Sequence, residues 1–229
     1  IADKYVGENT LAIGISNSFY MRYPWMLNML PNEMPVLPLE GIKDLNKMFD
    51  DPFKSIPVIK SGANVFCIAP KDSGKTTTLI LTTLHKLKYQ AAGNAPRAVI
   101  VVENTKRVLE LHEAFLLFTK RSSLRVYASH DELHIDMQKS EIFEGVDILI
   151  STPKMLNKLF LANGVHTSQI KSFSIDDAAF LSLESAYTAM MSITQSIQKC
   201  QYVIYTEHLH PKLKRFESYF MEYPKTVKV

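Results

Sequence analysis

The stretch that decides the fold is residues 64–87, NVFCIAPKDSGKTTTLILTTLHKL. Its apolar start, NVFCIA, is typical of a buried strand, and the segment from Lys75 to Leu87 is typical of a helix. Between them, SGKT suits a phosphate, because unpaired amides at a helix N-terminus face the anion. Lys75 would reach the β and γ phosphates, and the Thr76 hydroxyl would bind Mg²⁺. The stretch therefore predicts a phosphate-binding loop, although Asp72 stands where such a loop normally carries glycine.

Outward from this stretch, short apolar runs alternate with segments of helical period. Continuous apolar runs fit strands that are buried on both faces. Val108, Leu111, Phe115 and Leu116 form one apolar helical stripe, and residues 152–161 have a similar period. The alternation predicts an α/β fold, a doubly wound, mostly parallel sheet with helices on both faces. The further runs are RAVIVV (97–102), LRVYA (124–128), DILIS (147–151), SFSID (172–176), QYVIYT (201–206) and KTVKV (225–229).

Composition limits the class of protein. The chain has 229 residues, 46% of them hydrophobic and 21% charged, with a formal net charge of +3. These values fit one large globular domain and neither demand nor exclude nucleic acid. Cys67 and Cys200 lie in apolar runs and are expected to be reduced core residues, which suits an intracellular compartment. No run reaches the roughly 18 apolar residues of a membrane span, so the sequence predicts a cytoplasmic protein with no membrane partner.

The organisation of the chain changes before the first strand. Residues 1–45 are rich in methionine, proline and aromatic residues and are predicted to be a flanking segment that packs on the domain, with a partner-binding segment as the alternative. Residues 46–229 are predicted to form the domain itself. A histidine-rich and acidic segment, SHDELHID (129–136), is interpreted as a polar loop rather than a metal site, because its spacing matches no ligand template.

A pair of aspartates offers the second group that ATP hydrolysis requires. Asp176 and Asp177 directly follow the run SFSI, and strand ends are where this type of sheet binds ligands. A carboxylate at that place could direct Mg²⁺, and a neighbouring group could position the attacking water. The alternative is an acidic N-cap for the following helix, which would explain one aspartate.

Five segments in order resemble the motifs of the first RecA-like domain of DEAD-box RNA helicases: APKDSGKT, AVIVVENTKRV, DILISTPKML, FSIDDAAFL and QYVIYTEHL. The resemblance covers residues 45–229 and implies a P-loop, RecA-like fold with ATP and Mg²⁺ as ligands. It also implies RNA bound through sugar and phosphate without sequence readout. A second RecA-like domain, not found in this chain, would complete the ATP site.

The resemblance carries functional roles to individual positions. It implies nucleotide contacts at Ala69, Lys71, Asp72, Ser73, Gly74, Lys75, Thr76 and Thr77, metal contacts at Thr76 and Asp176, and catalytic roles for Lys75, Asp176 and Asp177. It implies RNA contacts at Asn104, Thr105, Thr152, Pro153 and Lys154, with Lys158, Lys106 and Arg107 as electrostatic support. For Lys158 and Lys106, the alternative is that they only solvate helix faces.

Other positions depart from the family pattern and predict a weakened site. Like charges about 4 Å apart at an effective dielectric near 20 repel by about 4 kcal/mol, so Asp72 should weaken phosphate binding, with Lys71 cancelling part of the effect. Aspartate is one bond shorter than the family's catalytic glutamate, so Asp177 should slow hydrolysis. Further departures include Ala179 for the family's last aspartate, Tyr205 to Glu207 for Ser-Ala-Thr, and Pro52 at the adenine-reading glutamine.

Two functions stay open from the sequence. In the first, the chain is the N-terminal ATP-binding domain of a divergent ATP-dependent RNA helicase. In the second, it is a degenerate RecA-like domain that binds RNA or protein partners with little or no turnover. Lys75, Thr76 and Asp176 favour the first, and Asp72 and Ala179 favour the second. In either case the isolated domain is expected to be nearly inactive.

Overall fold

The computed structural model describes residues 55–228, apart from positions 121 and 198. Its strands are β1 (Val65–Ile68), β2 (Ala98–Val101), β3 (Val126–Ser129), β4 (Ile148–Ser151), β5 (Ser172–Ile175), β6 (Gln201–Thr206) and β7 (Lys225–Lys228). Its α-helices are α1 (Ser55–Lys60), α2 (Lys75–Lys86), α3 (Thr105–Thr119), α4 (Ile135–Gly145), α5 (Pro153–Leu161), α6 (Glu184–Gln195) and α7 (Pro211–Lys214). Short 3₁₀ helices occupy Thr167–Gln169, Ala178–Ser182 and Arg215–Ser218.

The strands form one sheet in the order β3-β4-β2-β5-β6-β1-β7, and every neighbouring pair is parallel. Each apolar run of the sequence supplies one strand of this sheet. The predicted α/β fold is therefore confirmed. Because the strands are parallel, their carboxyl ends share one edge of the sheet, which collects the residues that follow β1, β2, β4 and β5.

Helices cover both faces of the sheet and bury two apolar clusters. Along β1, Phe66 belongs to one cluster, whereas Val65 and Cys67 belong to the other. Side chains of a strand alternate between the faces, so the two clusters lie on opposite sides of the sheet. Burial raises the pKa of the Cys67 thiol to about 12, and both cysteines are free thiols.

The prediction that Leu116 belongs to the core is wrong. Val108, Leu111 and Phe115 of α3 are buried, as expected from their spacing, but Leu116 is 45% exposed. Each residue of an α-helix turns by about 100° from the one before. Because Phe115 already faces the sheet, Leu116 is rotated towards solvent.

Some predictions fall outside this region. The flanking segment 1–45, the boundary at residue 46 and Pro52 all lie outside the described residues, so they stay predictions. Among the described residues, no helix is long and apolar enough to cross a membrane. Within the same part of the chain, no group of histidine, cysteine and acidic residues could hold a metal ion. The segment 129–136 instead forms the end of β3, a turn and the start of α4, where the ring of His134 accepts a hydrogen bond from the Asp136 amide.

Candidate functional site

The loop between β1 and α2 has the backbone of a tight phosphate loop. Gly74 lies at the N-cap of α2 with φ 89°, and its carbonyl accepts the first helical hydrogen bond, from the Thr78 amide at 2.9 Å. Asp72 also takes a left-handed conformation, with φ 58°, and its side chain is exposed. Aspartate tolerates this conformation better than most residues other than glycine. The replacement of glycine at position 72 therefore leaves the loop intact and adds a carboxylate on its solvent side.

The loop lysine is held by its own loop. Lys75 is 8% exposed, and its Nζ donates to the carbonyls of Ala69 at 2.7 Å and Pro70 at 2.8 Å. Among the ion pairs of the described residues, none joins Lys75 to Asp72 or Asp176. Ser73 Oγ is buried and has no hydrogen-bond partner in the same region. A phosphate would satisfy Ser73 and would replace two neutral acceptors of Lys75 with charged ones, so these residues fit a phosphate group.

The two residues predicted to direct Mg²⁺ meet at the carboxyl edge of the sheet. Asp176 follows β5, and its amide donates to the Val101 carbonyl of β2 at 3.0 Å, which fixes its place. Its side chain is 1% exposed. The hydroxyl Oγ1 of Thr76 lies 3.3 Å from Asp176 Oδ2 and 3.4 Å from Oδ1. The fold thus joins residues that are 100 positions apart in the sequence.

An arginine that the sequence analysis assigned to RNA lies between these two residues. Arg107 Nη2 donates to Asp176 Oδ2 at 2.7 Å and to Thr76 Oγ1 at 2.8 Å, and its Nε lies 3.2 Å from the same carboxylate oxygen. Burial lowers the pKa of Arg107, but the carboxylates of Asp176 and Glu110 together outweigh this effect and leave the pKa raised. Because the guanidinium occupies Thr76 Oγ1 and Asp176 Oδ2, this arrangement does not fit a divalent cation that needs the same two oxygens.

Sequence reasoning missed the position of Arg107 because it depends on strand order. Arg107 lies in the first turn of α3, directly after β2, and β2 is the neighbour of β5 in the sheet. A charged residue in the turn after a neighbouring strand faces the same edge. The available signal was an arginine close behind an apolar run, but the sequence did not reveal which run is adjacent to SFSID.

The second aspartate of the pair is exposed. Asp177 has a left-handed backbone with φ 52° and precedes the 3₁₀ helix Ala178–Ser182, whose amides its side chain does not cap. Asp177 therefore occupies the N-cap position of this helix, as the alternative interpretation expects, but makes no side-chain capping hydrogen bond. Strained left-handed conformations of residues other than glycine concentrate at functional sites, and Asp177 is one residue from the buried Asp176. The position is compatible with a water-positioning role in a larger assembly.

The predicted RNA contacts lie where helices begin at the same edge. Thr152 caps α5, with its hydroxyl accepting from the Met155 amide at 3.3 Å, and Pro153 is the first helical residue. Asn104 caps α3 by accepting from the Arg107 amide at 3.0 Å, and Thr105 begins that helix. These caps leave other N-terminal amides free to face an anion such as an RNA phosphate.

Acidic neighbours partly neutralise the lysines near this edge. Lys158 Nζ lies 3.0 Å from Asp131 Oδ1, and Lys154 Nζ lies 3.8 Å from the same oxygen. Lys106 pairs with Glu110 at 3.8 Å while staying 87% exposed. Surface pairs of this kind contribute little to stability, so an approaching phosphate can compete for these lysines.

Comparison with known proteins gives consistent similarities. The sequence model of the DEAD/DEAH box helicase family matches residues 53–208. The Pre-mRNA-processing ATP-dependent RNA helicase PRP5 of Vanderwaltozyma polyspora is 26% identical over 220 residues, which cover 90% of this chain and 24% of that protein. The ATP-dependent RNA helicase DeaD of Buchnera aphidicola is 22% identical over 198 residues, which cover 83% of this chain and 32% of that protein. The chain therefore spans a third or less of the length of these relatives.

Solved structures show the same fold. The yeast DEAD-box splicing factor Prp28 superposes with a TM-score of 0.65 at 18% identity and covers 73% of this chain and 42% of that one. A DEAD box protein from the hyperthermophile Methanococcus jannaschii superposes with a TM-score of 0.70 at 15% identity, over 76% of this chain and 48% of that one. At these identities the likeness concerns the arrangement of sheet and helices.

Proposed function

Because the chain belongs to the DEAD/DEAH box helicase family, we propose that it is the nucleotide- and RNA-binding RecA-like domain, residues 46–229, of a longer ATP-dependent RNA helicase. The main support is the convergence of Lys75, Thr76 and Asp176 at the carboxyl edge of the sheet, with Thr76 Oγ1 3.3 Å from the carboxylate. ATP would bind the loop from Ala69 to Thr77 with its phosphates towards the N-terminus of α2. RNA would lie along the same edge.

Each group has a distinct part in this proposal. Loop amides and the N-terminal end of α2 attract the phosphates, and Lys75 leaves its two carbonyl partners to bind them. The Asp176 carboxylate holds the side chains of Thr76 and Arg107 by hydrogen bonds, and Asp177 positions water for hydrolysis. In relatives with an accessible metal site, Mg²⁺ would neutralise charge on the phosphates.

The longer protein is part of the proposal. Hydrolysis in this family needs cations on the phosphates from a second RecA-like domain, so this chain alone is expected to turn over ATP very slowly. RNA would be held by helix N-termini at Asn104 and Thr152 and by exposed Lys154. Contacts of this type go to sugar and phosphate, so RNA binding should be insensitive to base sequence and sensitive to salt. The cytoplasmic location expected from the sequence stays a prediction.

Calorimetric titration with ADP, ATP and a short single-stranded oligouridylate tests the proposal. Lys75→Ala should lower nucleotide affinity at least about tenfold, because each charged hydrogen bond contributes about 1.5–3 kcal/mol. RNA affinity of that variant should stay close to the natural value. Lys120→Ala is the matched control, since Lys120 is exposed at the C-terminal end of α3, whereas the N-terminal end of that helix lies at the carboxyl edge of the sheet. Equal nucleotide affinity of the natural protein and Lys75→Ala would refute the nucleotide site.

A second candidate function is supported by the Arg107 contacts. A RecA-like domain that binds RNA without nucleotide would keep its sheet and its helix N-termini. Its Asp176 carboxylate would be paired permanently with Arg107 instead of with a ligand. For such a domain, RNA would bind in the titration and nucleotide would not. Saturating ADP would then leave the RNA affinity unchanged in both the natural protein and Lys75→Ala.

A further inference from the structure

The cation-binding corner of the nucleotide site is defined by three groups, the Thr76 hydroxyl, the Asp176 carboxylate and the Arg107 guanidinium. Nη2 of Arg107 lies 2.8 Å from Thr76 Oγ1 and 2.7 Å from Asp176 Oδ2, so one nitrogen joins both oxygen groups. Mg²⁺ coordinates oxygens at about 2.0–2.1 Å in near-octahedral geometry and is reluctant to lose further ligands. The ion and Nη2 therefore compete for the same two oxygens.

From this geometry we propose that Arg107 replaces the divalent cation at this site, so that a phosphate-bearing ligand such as a nucleoside diphosphate binds without Mg²⁺. The inference deepens the proposed function, on which it rests for the identity of the ligand. It adds that Mg²⁺ is excluded from the site and that the Arg107 guanidinium supplies the positive charge in its place.

Burial explains why an internal cation belongs here. The Asp176 side chain is 1% exposed, and a carboxylate that has lost its water needs a cation close by. Arg107 is the cation that pairs with it among the ion pairs of the described residues. An arginine stays charged at all working pH values, so the carboxylate keeps its partner with or without metal in solution.

Arg107 is fixed at both ends of its side chain. Its amide donates to the Asn104 side chain at 3.0 Å, which holds the first turn of α3. Its Nη1 lies 3.3 Å from Glu110 Oε2, one turn further along the helix. The guanidinium is thus held between Glu110 on one side and Asp176 on the other. Displacing it would cost contacts at both acids.

The same guanidinium suits a phosphate as an additional partner. Its side chain is 36% exposed, and arginine presents a planar fork of five donors that matches phosphate oxygens. Thr76, which accepts a hydrogen bond from Arg107, directly follows Lys75, whose ammonium group carries another positive charge. A phosphate on the loop would therefore have a cation on two sides. A diphosphate, with less charge than a triphosphate, needs less compensation when no metal is present.

The direct test compares ADP affinity in excess Mg²⁺ and in excess EDTA by calorimetry. The natural protein should bind ADP no more tightly in Mg²⁺ than in EDTA, because Mg²⁺ that binds ADP in solution competes with a site that excludes the metal. Arg107→Gln keeps a polar side chain of similar length and removes the cation, so it should bind ADP at least about tenfold more tightly with Mg²⁺ than with EDTA. Lys120→Gln removes one charge from the exposed far end of the same helix and should behave as the natural protein does.

A second readout follows the metal itself. Electron paramagnetic resonance of Mn²⁺, in the presence of ADP, should give the spectrum of protein-free Mn²⁺ and ADP when the natural protein is added. Arg107→Gln should immobilise the ion and change the spectrum. The measurement in Mg²⁺ and EDTA on the natural protein needs no variant, so it decides the question even where Arg107→Gln does not fold.

The outcomes separate this inference from the nucleotide function. ADP binding by the natural protein that requires Mg²⁺ would overturn the inference and leave the nucleotide function standing. A folded Arg107→Gln that gains neither Mg²⁺ dependence nor bound Mn²⁺ would also overturn it. A natural protein that binds no ADP in either buffer, beside an Arg107→Gln variant that binds Mn²⁺ with ADP, would uphold metal exclusion and defeat the nucleotide function.

Discussion

Removing the carboxylate of Asp72 should strengthen nucleotide binding. The residue is exposed in the phosphate loop with φ 58°. A carboxylate about 4 Å from a phosphate is repelled by about 1 kcal/mol in water and about 4 kcal/mol at an effective dielectric of 20. Because Asp72 is exposed, the lower end applies. Asp72→Gly should therefore raise ADP affinity by about five- to tenfold.

The backbone effect of the same change can be separated from the charge effect. A left-handed conformation costs a residue other than glycine about 1–2 kcal/mol, and less for aspartate or asparagine. Glycine loses about 0.5–1 kcal/mol through its greater freedom in the unfolded chain, so the free energy of unfolding should change by less than about 1 kcal/mol. Asp72→Asn keeps the conformation and removes the charge. Both variants should therefore gain similar affinity for ADP.

Calorimetric titration with ADP at low and high salt is the appropriate assay. The gain in affinity should shrink as salt rises, because the Debye length falls from about 10 Å at 0.1 M to about 3 Å at 1 M. Asp136→Asn, which removes an exposed charge from α4, is the control and should give no gain. A change below about twofold in both Asp72 variants, or a gain that high salt leaves intact, would refute electrostatic weakening by Asp72.

Further predictions concern stability and RNA. Asp147 is fully buried and paired with Arg125 at 2.9 Å, so Asp147→Asn should lower the free energy of unfolding in urea by about 3–5 kcal/mol. Burial raises the pKa of Asp147, but its hydrogen bonds, led by that from Arg125, outweigh burial and lower the pKa. The ionised carboxylate therefore stabilises the fold above the ordinary carboxyl pKa, and this contribution is lost in acid as the pH falls through the lowered pKa. The contribution should be missing from Asp147→Asn. Thr152→Ala should cost about 1 kcal/mol of unfolding free energy through loss of the α5 cap, whereas Thr152→Ser should keep it, as thermal unfolding would show. Asp131→Asn should free Lys158 and raise affinity for single-stranded RNA a few fold at low salt, a gain that fluorescence anisotropy should find abolished at high salt.

The strands were predictable because a parallel sheet covered on both faces demands continuous apolar runs. The run VFCI became β1 and the run SFSI became β5, with Asp176 directly after it. The start of α2 at Lys75 also followed from residue types alone. These features depend on local sequence, which is why they could be predicted.

Contacts between distant segments could not be predicted in the same way. The apolar pattern assigns strands but not their order, and the place of Arg107 follows from the pairing of β2 with β5. Two backbone carbonyls, rather than an acidic side chain, hold the ammonium group of Lys75. Carbonyl groups are present at every residue, so composition gives no warning of such a contact.

Lys75 and Asp176, the charged groups that would bind phosphate and metal at the carboxyl edge, already have partners from the chain, and these partners differ in strength. Phosphate binding requires Lys75 to leave two neutral carbonyls, and the phosphate replaces them with charged acceptors, which form stronger hydrogen bonds with the ammonium group. Metal binding requires Asp176 to give up Arg107, a charged partner that makes charge-assisted hydrogen bonds to its carboxylate. The exchange is therefore easier for phosphate than for metal. Nucleotide binding and metal binding, which depend on each other where the carboxylate is free, are separable in this chain because Arg107 is bound to Asp176.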